Sequence, residues 1–160
     1  MKPRRSVLAR VVLSLLVAML GGLLGGTSAL ADSSVAIAIS GTVDGSPESV
    51  YVSGLAQITS TFVKANPKFN HPPFVILSFD LHNVTGKGLS TGASYVITSQ
   101  DEMMRRLVAS DLVQITFPFY PNGSGGFRSA RTGVASFTLS FDVTTGALTG
   151  GTATVTTPSF

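Results

Sequence analysis

The chain of 160 residues contains no cysteine and no tryptophan, and only 12% of it is charged. Without cysteine there is no disulfide framework, no thiolate metal site and no thiol nucleophile. Packing alone must hold the fold. Without tryptophan, the aromatic girdles of a membrane barrel lack one of their usual residues. Long apolar runs are also scarce. The one candidate, Val11 to Leu24, is broken by Ser14, Gly21 and Gly22 and falls short of the ~20 residues a membrane span needs. What the chain does have is 44% hydrophobic residues, which excludes an intrinsically disordered protein.

That apolar run has the anatomy of an export signal. Lys2, Arg4, Arg5 and Arg10 precede it, and small residues lead to Ala29-Leu30-Ala31, an A-x-A cleavage site. Residues 1–31 are therefore expected to be a signal peptide cleaved after Ala31, leaving 32–160 as a single domain. Arg4-Arg5 also matches the start of a twin-arginine signal. Pro3 and Ala9 suit that pattern poorly, and the Leu/Val-rich core favours the general route. Removing the leader reverses the sign of the charge. The whole chain has a formal charge of +3, but seven cations and eight carboxylates remain after residue 31, a net charge of −1. No electrostatic footprint for nucleic acid is left. The expected location is the periplasm or exterior of a bacterial cell.

The mature region carries all ten phenylalanines. Its branched and aromatic residues alternate with Ser and Thr and are punctuated by Gly and Pro, the pattern of a β domain. Residues 135–143 are the clearest case, with Ala135, Phe137, Leu139, Phe141 and Val143 on one face and Ser136, Thr138, Ser140 and Asp142 on the other. Thr144-Thr145-Gly146 then supplies a turn, and a partner strand follows through Ala153 and Val155. Further strands are expected at Val35–Ile39, Ser49–Val63 with a bulge or bend at Gly54, Phe74–His82, Tyr95–Thr98 and Val113–Phe119. Seven or so strands make an all-β domain, either an antiparallel β-sandwich or a small β-barrel. Periodicity does not choose between the two. Ser99 and Glu102 have capping-box spacing, so residues 100–108 read either as a two-turn helix or as an irregular loop.

Candidate chemistry is sparse. Ser78, Asp80 and His82 are the residue types of a hydrolytic triad on one strand face. Positions i and i+2 lie about 6.5–7 Å apart along a strand, too far for nucleophile and base to bond. A solvent-facing strip is the simpler reading, with Asp80 and His82 an exposed pair that offers two ligands and no visible third, and both are kept as candidate ligand contacts. His71 and His82 are separated by an extended segment, so they do not share a metal. No catalytic residue, metal site or cofactor is expected. The segment Lys64–Pro73, with Lys68, Phe69 and His71, is the best candidate for a contact loop. Asn122–Arg128 with Arg131 is glycine-rich and cationic, so Arg128 and Arg131 are candidate anion contacts. No helix follows that loop, which removes the phosphate-loop context. The residues before Phe160 are Pro158, Thr156 and Thr154, where a membrane barrel would face apolar residues to lipid, so no integral membrane association is expected.

Two functions follow as expectations. The first is an exported, non-catalytic binding or structural protein, with a protein or small molecule as partner. The second is a β-barrel enzyme or ligand carrier whose interior gathers polar groups such as Tyr95, Arg106 or Asp142.

Overall fold

A computed structural model of the chain describes residues 32–66, 68 and 71–159, so residues 1–31, where the export signal is expected, and Phe69 and Phe160 lie outside the described residues. Eight strands follow in order: β1 (Asp32–Val43), β2 (Val50–Val63), β3 (Phe74–Gly88), β4 (Ser94–Ile97), β5 (Gln100–Arg106), β6 (Ser110–Pro121), β7 (Arg131–Phe141) and β8 (Leu148–Thr156). All but β5 close a barrel, which resolves the choice left open by periodicity. Successive barrel strands run up and down as antiparallel neighbours. Seven is an odd number, so such a meander brings its first and last strands together running the same way. The closing pair, β1 and β8, is indeed parallel and shares one ladder pair, Gly41 with Val155.

That seam lacks a long backbone ladder and is laced instead by hydroxyls. Leu148 N–H donates to Ser33 Oγ at 2.7 Å, and Asp44 N–H donates to Thr157 Oγ1 at 2.8 Å. Gly41 permits the close approach, because a Cβ there would overlap the carbonyl oxygen of Val155 and stand 2.9 Å from its nitrogen.

Alternation places the apolar faces inward, as the sequence predicts. Phe79, Phe117, Phe119 and Phe137 are essentially fully buried, as are Leu77, Leu81 and Leu139. The rings of Phe79 and Phe137 lie 5.1 Å apart and tilted, an offset geometry that aromatic quadrupoles favour. Each buried phenylalanine contributes about 1.5–3 kcal/mol of transfer free energy. The barrel axis is therefore a packed core. Ser60, a fully buried hydroxyl in it, donates to the carbonyl of Gly146 at 3.1 Å.

Two local expectations are corrected. Residues 100–106 form strand β5, neither the helix nor the loop expected over 100–108. β5 pairs in register with β3 from Phe74–Arg106 to Asp80–Gln100, beside the stretch where β4 pairs with Thr85–Lys87. A helix of two turns is marginal in isolation. An open β3 edge offers seven residues of ladder instead, and Met103 then packs against the core. The irregularity expected at Gly54 belongs to β3. Leu55 pairs with Asn83 but Gln57 with Asp80, so the extra residue sits on β3 opposite Ala56. Gly54 accommodates it, since a Cβ there would lie 2.6 Å from Val84 Cα. Beyond this bulge the buried residues of β3 switch from odd to even numbers.

Candidate functional site

Register explains which side chains meet outside the barrel. Val63 pairs with Phe74, and Phe74 pairs with Arg106, so the three share a face across β2, β3 and β5. Met104, two residues before Arg106, lies on that same face and is 64% exposed. The segment after Val63 folds back toward them. Asn66 and His71 exchange backbone hydrogen bonds at 3.2 and 3.3 Å, and Lys68 N–H donates to Asn66 Oδ1, which closes the loop on itself. The result is a groove of about 600 Å³. Val63, Phe74 and Met104 supply its apolar surface. Asn66, His71 and Pro72 come from the loop, and Lys64 and Arg106 supply positive charge. Among the described residues, no carboxylate lines it.

Of the residues singled out in the contact loop, His71 lines this groove and Lys68 is exposed on the loop. Phe69 lies outside the described residues. Val63, Phe74 and Met104 were not singled out from sequence, because their shared face exists only once three strands are in register.

Asp80 and His82 meet, contrary to the separation expected for i and i+2 on a regular strand. The β3 bulge shortens the path, so that His82 Nδ1 stands 2.5 Å from Asp80 Oδ1 and His82 N–H donates to that oxygen at 2.8 Å. The backbone N–H of His82, then its ring, hold the Asp80 carboxyl below its ordinary value. Both side chains are exposed, 41% for Asp80 and 55% for His82. No hydrogen bond among the described residues joins Ser78 to either. The pair is thus a contact within the β3 bulge, with no nucleophile bonded to it among the described residues. His82 borders a second hollow of about 620 Å³ lined with Thr85, Lys87, Ser94, Thr98 and Asn122. Among the described residues, no three His, Asp or Glu side chains converge on one point.

Arg131 is engaged within the fold. Its guanidinium donates to the carbonyls of Glu48 at 2.7 Å and Asp44 at 2.9 Å, and it sits 5.0 Å from the centre of the Phe119 ring. Arg128 lies exposed on a single 3-10 turn, Gly126–Ser129. Arg131 is thus held within the fold while Arg128 faces solvent.

The buried carboxylate of Glu48 is a feature sequence reasoning missed. It is 8% exposed and accepts hydrogen bonds from Ser90 N–H, Thr91 N–H, Thr91 Oγ1 and Tyr95 OH. The Thr91 hydroxyl, followed by its backbone N–H, holds the Glu48 carboxyl below its usual value. Burial, then the neighbouring Glu48, pushes the Tyr95 phenol up. With Arg131 beneath, this cluster ties the β1–β2 segment to the β3–β4 turn. Nothing local announces it, since its bonding partners lie 42 to 47 residues downstream. Tyr95, Arg106 and Asp142 are not gathered in the barrel. Tyr95 bonds Glu48, Arg106 faces the outer groove, and Asp142 caps the β7–β8 turn by accepting Thr144 N–H at 2.8 Å.

A scan against protein-family models, a search of curated proteins and a search of solved structures each find no match to the chain.

Proposed function

We propose that this is an exported bacterial protein that works by non-covalent binding, with the groove between the Lys64–Pro73 loop and strands β2, β3 and β5 as its contact site. The observation that carries this is the contrast between a barrel axis filled by Phe79, Phe117, Phe119 and Phe137 and a groove outside it that leaves Met104 64% exposed. A large apolar side chain left bare beside Phe74 and Val63 costs solubility, which a binding role offsets. A groove of about 600 Å³ is in the range of small-molecule sites, and its loop is closed by its own hydrogen bonds before any partner arrives. The leader and the near-neutral mature charge support export.

The test is titration of the purified mature domain with the neutral dye Nile red. Saturable, blue-shifted emission is expected from the wild type, and Met104→Glu should abolish it while leaving the melting temperature within a few degrees. Absence of saturable binding, or binding indifferent to Met104→Glu, would overturn the assignment. Fractionation of the native host should place the protein, cut after Ala31, outside the cytoplasm.

A further inference from the structure

Resting on the groove as binding site, we infer that its ligand is a free, single-chain amphiphile with an anionic head. Three observations select this class. The inner part of the groove is apolar and set by register, with Val63, Phe74 and Met104 side by side on β2, β3 and β5. Lys64 and Arg106 both line it, and neither forms an ion pair among the described residues. Among the described residues, no carboxylate of the lining competes for those cations, although the mature domain as a whole carries net negative charge. A neutral apolar ligand would leave both charges unused. A small inorganic anion would leave the apolar wall wet. An alkyl chain along Val63, Phe74 and Met104 with its head between Lys64 and Arg106 satisfies both halves. The limited volume of the groove fits one monomeric chain better than a membrane surface.

The experiment is isothermal titration of the mature domain with decanoate, decan-1-ol and acetate, alongside flotation with phosphatidylglycerol vesicles. Decanoate is expected to bind saturably, about fivefold or more tighter than decan-1-ol, because two exposed cations each add a modest, screened attraction. Acetate should not bind. Raising the salt to 1 M should remove most of the decanoate advantage and leave decan-1-ol unchanged, as the screening length falls to about 3 Å. Lys64→Gln with Arg106→Gln should level the two ligands, and the unaltered decan-1-ol affinity reports that the variant is folded and its groove intact. Equal binding of decanoate and decan-1-ol to the wild type would overturn the anionic head while leaving the groove assignment standing. Failure of both, with no Nile red binding, would bring down the groove assignment as well. Vesicle flotation without decanoate binding would replace the free ligand with a lipid surface and overturn the inference.

Discussion

Substituting Gly41 by alanine tests whether the barrel is closed where β1 meets β8. A Cβ at residue 41 would stand 2.8 Å from the carbonyl carbon of Val155 and 2.9 Å from its nitrogen, with the oxygen nearer still. Ordinary Cβ contacts begin at 3.4 Å, so relieving the oxygen contact requires the strands to part by more than an ångström. The obstruction is backbone, which has no rotamer to escape into. The displaced pair is also the single ladder pair of the seam. Overpacking costs about 1–3 kcal/mol and a lost backbone hydrogen bond about 1 kcal/mol, which puts the total at about 3 kcal/mol. In a domain of this size that corresponds to a fall in melting temperature of about 12 °C, read by circular dichroism or calorimetry. Gly150→Ala, on β8 with nothing within 4 Å of the added atom, is the control and should be near neutral. If Gly41→Ala melts within 2 °C of the wild type, β1 and β8 are not joined as described.

Phe137→Ala, at the centre of the core against Phe79, should cost about 3–5 kcal/mol by equilibrium denaturation in urea. A loss under 1 kcal/mol would mean the barrel axis is not packed. Glu48→Gln should lower the melting temperature at neutral pH, because an amide cannot accept from Ser90, Thr91 and Tyr95 together. Since folding depresses this carboxyl, its contribution is full above the ordinary value of 4.5 and is lost as pH falls through the lower folded value. The wild type should thus lose stability on acidification below about pH 4.5, and Glu48→Gln should flatten that slope; an unchanged slope refutes the role. Arg105 makes a bidentate pair with Asp111 at 2.7 and 2.8 Å across the turn from β5 to β6. It is 41% exposed, so Arg105→Ala should cost under about 1 kcal/mol at physiological salt, and a double-mutant cycle with Asp111→Ala measures the pair.

The degree to which the fold was legible follows the strictness of alternation. Residues 135–141 alternate without exception, and β7 and its hairpin with β8 stand where the pattern puts them. Sandwich and barrel share that pattern, and the distinction rests on the β1–β8 closure between residues far apart in the chain. Strand β5 was illegible because Gln100-Asp101-Glu102-Met103-Met104-Arg105-Arg106 has charge on both faces. Its conformation is imposed by the β3 edge, and its capping-box spacing is incidental. An exposed Asp80–His82 pair could be read from the sequence, but the closeness of their contact could not, because one extra residue in β3 changes the geometry that a regular strand dictates. The contact loop could be nominated from its composition. The apolar wall beneath it comes from three strands, each contributing one or two outward residues that mean nothing singly.

The odd strand count also bears on how the chain reaches its native state. Every antiparallel pairing in the barrel joins strands close in sequence, and these hairpins can assemble as the chain emerges. The closing pair cannot, because Gly41 must wait for Val155, 114 residues later. Until then one edge of β1 and one edge of β8 remain open templates for a neighbouring chain. Ring closure should therefore be the slow event in refolding, in the millisecond-to-second range of non-local β topologies. Aggregation during expression should then depend on how long that one gap stays open.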